Sequence, residues 1–433
     1  MSPISKNERQ ILRNLANRYI EIASSDIMDK RKSSWKKLHD LNPDRPMILF
    51  EPFTVEGFLN SNELECVDPG LRNIESRLKY NIRQFELLDD DIVFEKYIRI
   101  PWVGPSLTAT SLEYGEIKIV EKHSSQPSLA YLSNFPIKKP EDLKKMSKRN
   151  FKVDKKPSLE FQAKLNDIFG DILPVRLGNY DNFSADIFNP ENATQYFTGN
   201  NFIGITWDMF KLIGEENMML WAYDYPDILK ELCDFLVDDR KRFYKFLIDE
   251  KLLDFNTDNQ FAGPSSYGYV SELPSVDSKK EVVLKDLWCW AESQETEVFS
   301  PKMFNDLFLP SIAEIANMFG LTYYGCCERV TDRFEYIAKA IPNLRTVSIS
   351  AWSDNRIAGE LLGNKYVYSK KPNPIYISGE TAYWDLIEKE ALEVKDATKN
   401  GCLEVIFRDI YSPNCTIDKA KELIKIWKKV LNI

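Results

Sequence analysis

Apolar and polar positions along this chain follow two rhythms, one of helix period and one of short buried runs, and their alternation predicts the fold. Ile11, Leu12, Leu15, Tyr19, Ile20 and Ile22 recur at nearly helical spacing in a polar, helix-prone first forty residues, predicting an amphipathic N-terminal helix. Such a helix packs on the main domain or on a second copy in a homodimer. A buried-strand run follows at 46–51, PMILFE, then a helix face of Ile74, Leu78, Ile82 and Phe85 within 73–88, and a strand at 91–98. The span 99–156 carries Pro101, Pro105, Pro127 and Pro136 between short β-like pieces such as 116–120, and is read as an insertion bearing a hairpin. A helix at 158–169, a strand at 173–177 and a polar aromatic loop at 179–189 come next. The stretch from there to Met219 mixes both rhythms. Pro226 then opens a helix over 225–247 with Ile228, Leu232, Phe235, Leu236, Phe243 and Leu247 on one face.

The second half alternates more cleanly. A strand at 253–257 leads into a long loop, and Ser300-Pro301 supplies an N-cap and first-turn proline for a helix ending at Gly320. Strands at 321–325, 344–349, 365–369 and 403–408 alternate with helices at 332–340, 355–362, 380–394 and 417–431. Eight strands with intervening helices, several joined by spans that suit only right-handed parallel crossovers, predict an α/β chain: a (β/α)8 TIM barrel over 46–433 with an N-terminal helical extension at 1–45. Insertions are expected at about 99–156 and 258–299, the second long enough to suggest a functional loop. A doubly wound open sheet is the alternative, but no strand is followed by Gly-x-Gly-x-x-Gly and no phosphate-cradling Gly-x-x-x-x-Gly-Lys-Ser/Thr exists.

Composition narrows the function classes. The formal charge of -9 arises from 66 acids against 57 bases with no basic block, which gives no footprint for nucleic acid. No window approaches the roughly 18 apolar residues that span a bilayer, and MSPISKNERQ lacks the apolar core of a secretory signal, so a cytoplasmic location and no membrane partner are expected. The seven cysteines are thinly spread without disulfide-scaffold spacing, which fits a reducing compartment. With only His39 and His123 as imidazoles, chemistry falls mainly to carboxylates, thiols, Arg, Lys or Tyr.

A barrel places its chemistry at the C-terminal ends of its strands. On that rule the rim carries Glu51 after the first strand, Asp258 after the fourth, and Cys326, Cys327 and Glu328 after the fifth. Trp352 and Asp354 follow the sixth strand, Ser369 and Lys371 the seventh, and Arg408 and Asp409 the eighth, while Cys402 stands at the opposite end. Vicinal thiolates can bind a soft metal such as zinc with a carboxylate from Glu328 or Asp409; the bland reading puts one cysteine in the core. Without a metal, Cys326 is a nucleophile if Arg408 or Lys371 lowers its pKa, and inert if simply buried. Glu328 is a general acid or base, or half of a salt bridge to Arg329 or Arg408. Lys371 neutralises a substrate anion or is a solvated loop lysine. Trp288, Trp290, Tyr267 and Tyr269 stack on a flat ligand or pack a lid, with Glu292, Gln294 and Glu295 lending polarity.

YYGCCE at 323–328, IPNLRTVSISAWSD at 341–354, VYSKKPNP at 367–374, RDIYS at 408–412, GYVSELP at 268–274 and ESQE at 292–295 together resemble a divergent branch of the uroporphyrinogen decarboxylase superfamily. The likeness is strong over the second half and weak over the first. It implies a (β/α)8 barrel. The decarboxylases proper hold tetrapyrrole carboxylates with an arginine-rich segment after the first strand, and this chain reads EPFTVEGF there. The cobamide-dependent methyltransferases of the superfamily bind zinc through His-x-Cys and a later Cys; here these positions read Tyr324-Gly325-Cys326 and Arg408-Asp409. The resemblance therefore implies a methyltransferase moving a methyl group between a small substrate and a corrinoid such as methylcobalamin, carried by a separate corrinoid protein. Zinc would sit on Cys326 and Cys327 with Glu328 or Asp409, and Glu328, Arg408 and Asp409 would be catalytic. Lys371, Ser369, Glu51, Tyr324, Trp352, Glu295, Gln294 and Tyr267 would meet the methyl donor or acceptor. A carbon–carbon lyase or decarboxylase of another carboxylated substrate, and a non-catalytic corrinoid or tetrapyrrole binder, are the rival readings.

Overall fold

The computed structural model describes residues 4–51, 58–102, 113–123, 131–178, 201–274, 281–410, 412 and 414–433. Among them eight strands pair in parallel: β1 Met47–Phe50, β2 Ile98–Pro101, β3 Val175–Gly178, β4 Trp288–Ala291, β5 Leu321–Tyr324, β6 Leu344–Ile349, β7 Val367–Lys370 and β8 Cys402–Phe407. Six form one sheet in the order β1-β8-β7-β6-β5-β4, and β2 pairs with β3 in a second. The fold is thus α/β, with a mostly parallel six-stranded sheet whose first strand lies beside its last.

The expected barrel ladder is open, among the described residues, at two joints: β1 to β2 and β3 to β4. Side chains supply part of the bonding there, alongside loop backbone that includes a parallel bridge between Phe202 and Trp290. Along β1, Asp91 accepts from the Ile48 amide at 2.8 Å and Asp90 from the Phe50 amide at 3.0 Å, while the Asp91 amide donates to the Ile48 carbonyl at 2.7 Å. Along β4, the Asn256 amide group accepts from Trp288 N–H and donates to Trp288 C=O, both at 3.0 Å. Buried backbone groups need partners, and a carboxylate or amide side chain satisfies them as well as a strand does.

These joints explain two corrections to the sequence reading. The run 253–257 forms no strand, because Asn256 offers its side chain where a strand would offer backbone. The fourth parallel strand is instead Trp288–Ala291, an unbroken buried run that had been assigned to the loop. Likewise 91–98 becomes strand only at Ile98. The helical extension is two helices, α1 Lys6–Ala23 and α2 Asp26–His39, interrupted at Ser24-Ser25. Ser5 and Glu8 close a reciprocal capping box at the start of α1. The helix expected at 300–319 divides into Pro301–Leu307 and Leu309–Ala316, and the insertion carries two short antiparallel pairs where one hairpin was expected. Pro105, Pro127 and the loop 179–189 lie outside the described residues.

Alternation along the strands sorts the two faces. Tyr324, Val347, Ile349, Tyr368, Leu403, Val405 and Phe407 join the large apolar cluster with the helices. The opposite parity on β5 to β8 carries Tyr323, Thr346, Ser348, Ser369 and Glu404, all fully buried. A polar column therefore runs through the inner face. At its N-terminal end α2 delivers His39, whose Nδ1 is 3.0 Å from the Tyr269 carbonyl and whose Nε2 is 3.6 Å from Glu404 Oε2. Ser266 donates to the same carboxylate oxygen at 3.0 Å. Cys402, at the start of β8, packs in the cluster with α1 and α2, at the end away from the strand termini where Arg408 lies.

Breaking a buried pair leaves an uncompensated charge, so His39→Ala is expected to cost about 3–5 kcal/mol of unfolding free energy. Denaturant melts would check this, and the His39→Ala, Glu404→Gln double variant should recover much of the loss.

Candidate functional site

The site begins where β5 ends. Gly325 adopts φ +99°, a left-handed conformation that favours glycine, and an added Cβ would stand 3.0 Å from Ser348 Cβ. The backbone is pinned on both sides: Gly325 N–H donates to Ala291 C=O at 2.8 Å, and Trp290 Nε1–H donates to Gly325 C=O at 3.0 Å. Ser348 donates to Cys326 C=O at 2.8 Å. Glu328 clamps the turn, one oxygen accepting from Cys326 N–H at 2.7 Å and the other from Ser293 N–H at 3.0 Å. This carboxylate, raised in pKa by burial, anchors the β4 and β5 loops to each other.

The clamp leaves the two thiols side by side, Sγ to Sγ 3.5 Å, with Cys327 Sγ 3.7 Å from Asp409 Oδ2. Its hydrogen bond with Cys327, then burial, push the Cys326 thiol well above its ordinary value despite the opposing charge of Arg408. Cys326 is therefore a thiol and not a thiolate near neutral pH.

Beside the sulfurs lies a buried charge cluster. Arg408 continues the inward parity of β8 and is 6% exposed; its Nε sits 3.4 Å from Asp409 Oδ2 and 3.7 Å from Glu51 Oε2. Asp409 would face the helices if the strand ran on, but its φ of +60° turns it out of register, toward Arg408 and Cys327. Arg408 Nε and Nη1 and Glu51 Oε2 are all buried and without a hydrogen-bond partner among the described residues. Burial raises the Glu51 carboxyl to about 7, Arg408 only partly offsetting it. Unsatisfied donors on a buried guanidinium cost free energy unless something fills them, and an oxyanion does so.

Lys371 completes the floor. Its Nζ donates to Tyr323 Oη at 2.8 Å and Ser369 Oγ at 2.7 Å, and Tyr323 in turn donates to Ser369 at 2.9 Å. Burial lowers the amine to about 8, against the opposing pull of Glu404.

Glu51, Ser369, Lys371, Arg408, Asp409, Cys326 and Cys327 thus belong to one neighbourhood. The other expected residues do not join it. Tyr324 points into the helix layer, hydrogen-bonded to Ser293 Oγ at 2.7 Å. Trp352 is 63% exposed and Gln294 is exposed, while Glu295 accepts from Thr206 at 2.8 Å and is raised by burial to about 7. Tyr267 packs edge-on against Trp35 in the α1–α2 cluster, and Asp258 pairs with Arg99 at 2.8 Å. Tyr323, Ser348 and Glu404 were missed, although the period of two through Ser369 and Lys371, or Glu404 and Arg408, points to the same face.

Among the described residues no group of three or more His, Cys, Asp and Glu side chains is arranged to hold a metal ion. The donors implied for zinc do not fit as placed. Glu328 spends both oxygens on backbone amides, and Asp409 lies against a guanidinium.

No family model matches the sequence, and no curated protein matches it. Among solved structures the chain is similar to a methyltransferase from Methanosarcina mazei, at 12% identity over 92% of this chain and 98% of that one, with a TM-score of 0.49. A likeness at that level assigns no activity. No helix among the described residues is long and apolar enough to cross a membrane.

Alkylation of Cys326 by iodoacetamide should accelerate with pH without reaching a plateau by pH 9, since only the thiolate reacts. Arg408→Gln removes the charge that favours the thiolate, so it should slow labelling of Cys326 at pH 8. Faster labelling would show that the guanidinium does not act on this thiol.

Proposed function

We propose that this chain is an enzyme that moves a methyl group between a small anionic substrate and a corrinoid brought by a separate protein. The observation that carries the reading is the juxtaposition of the sulfur pair with Arg408, whose two unsatisfied donors lie inside the strand ends. The motif resemblance of the second half, YYGCCE above all, supports methyl transfer as the chemistry. The reading takes the eight parallel strands as a barrel, supported by the pairing of β1 with β8 and by the side chains that bond across the open joints.

On this reading Arg408 and Lys371 hold the anionic group of the substrate, and charge-assisted hydrogen bonds fix its orientation. Glu51, poised near neutrality, takes the proton from a heteroatom that gains the methyl group and returns it in the reverse direction. The thiols line the side of the substrate next to Asp409. The corrinoid is a second substrate that supplies or accepts the methyl group, and no step passes through zinc.

The test is spectral demethylation of added methylcobalamin with candidate acceptors. In this direction Glu51 must be ionised and Lys371 charged, so kcat/KM should be bell-shaped, rising through about 7 and falling through about 8. Glu51→Gln should remove the acid limb, and Lys371→Arg should move the alkaline limb upward. Arg408→Gln should lower kcat/KM by about 30-fold or more, the loss of a charged hydrogen bond to a buried anion. Absence of demethylation with any acceptor would end the proposal. Stoichiometric zinc in protein purified without chelator, lost in Cys326→Ser and Cys327→Ser, would replace the metal-free account with a thiolate one.

A second reading, a decarboxylase or carbon–carbon lyase of a carboxylated substrate, is favoured by one observation. Lys371 is buried against neutral hydroxyls beside a guanidinium with free donors. Carbon dioxide release without corrinoid would select it.

A further inference from the structure

Two lysines stand next to each other at the end of β7 and live in opposite environments. Lys370 faces the helix layer, where its Nζ is 3.1 Å from Glu390 Oε1 and 3.0 Å from Asn355 Oδ1. It is a paired structural cation. Lys371 faces inward and makes no salt bridge among the described residues; both its hydrogen bonds go to neutral hydroxyls. Tyr323 Oη touches Lys371 Nζ on one side and Ser369 Oγ on the other, so a hydroxyl relay ends on the amine. Nζ stands 5.5 Å from the Tyr323 ring centroid, off the hydroxyl edge of the ring.

We propose that Lys371 is a nucleophilic amine that forms an imine with a small oxo acid, whose carboxylate is held by Arg408. This rests on the second reading, the carbon–carbon lyase, and gives it a chemistry. Burial brings the amine to about 8, so a useful fraction is uncharged near neutral pH, which nucleophilic attack requires. The nitrogen lone pair attacks the carbonyl carbon, forming a C–N bond, and the carbonyl oxygen takes a proton passed through Tyr323. The carbinolamine then loses its oxygen as water. Overall, one ammonium and one carbonyl give one protonated imine and one water, with no oxidant or reductant. The protonated imine withdraws electrons from the neighbouring carbon–carbon bond, which breaks with loss of carbon dioxide when the carboxylate is on the carbon next to the imine carbon. Neither the phenol nor the serine is consumed.

The test uses the full chain with acetoacetate or pyruvate and sodium cyanoborohydride, which reduces a protonated imine to a stable amine, followed by peptide mapping by mass spectrometry. One adduct per chain on Lys371, at least tenfold above any other lysine, is expected. It should vanish in Lys371→Arg, which keeps a cation and loses the nucleophile, and form at least tenfold more slowly in Tyr323→Phe. Labelling spread evenly over surface lysines, or none at Lys371 in the unmodified protein, would overturn the proposal, and this map needs no variant to fold. Carbon dioxide release from acetoacetate with no adduct would keep the lyase reading and remove the imine. An adduct without carbon dioxide release would keep the imine and remove the lyase.

Discussion

The enclosure of Arg408 is the constraint on which the rest of this structure turns. A guanidinium cannot shed its proton, so burying one commits the surroundings to answering its charge. Glu51 and Asp409 answer at 3.7 and 3.4 Å, from the ends of β1 and β8, and this ties the first strand of the sheet to the last. Two donors of the guanidinium are left over among the described residues. The shortfall at Arg408 is matched by an unsatisfied oxygen on Glu51 among the described residues.

The same electrostatics sets the protonation states nearby. Burial moves Glu51 up to about 7 and Lys371 down to about 8, and the hydrogen bond with Cys327, then burial, raise Cys326. Two groups from opposite ends of the pH scale thereby converge on neutrality within one site. Glu404 behaves differently. Burial alone would raise it, but the hydrogen bond and charge of His39, with Lys371, bring it below the ordinary value, and it stays an anion deep in the inner face. The interior thus carries a fixed negative group at the α2 end and an adjustable set at the strand ends.

Much of this was legible in the sequence. Strands β6 and β8 and the helices at 355–362 and 417–431 emerged within a residue of their expected limits, because each is a strongly periodic run bounded by clear caps. What failed was the identity of the fourth strand, and the reason is physical: pattern identifies apolar runs, whereas Asn256 contributes its ladder bonds through a side chain and WCWA looks like an aromatic loop. The strand-end rule brought Glu51, Cys326, Cys327, Lys371, Arg408 and Asp409 into view. It also drew in Tyr324 and Trp352, because proximity to a strand end says nothing about which face a side chain takes.

Facing matters most at Tyr324. The resemblance aligns it with a histidine ligand, and the parity of β5 sends it to the helices, with Tyr323 on the inner face in its place. With tyrosine at this position the side chain is part of the outer core. Cys326, beside Cys327 and near an aspartate that lies against a guanidinium, is held well above the ordinary thiol value by its hydrogen bond with Cys327 and by burial. Arg408 and Lys371 are the buried cations beside the sulfurs. Within that cluster the groups that burial draws toward neutrality are the Glu51 carboxyl and the Lys371 amine, which leaves Arg408 as the cation whose charge does not vary.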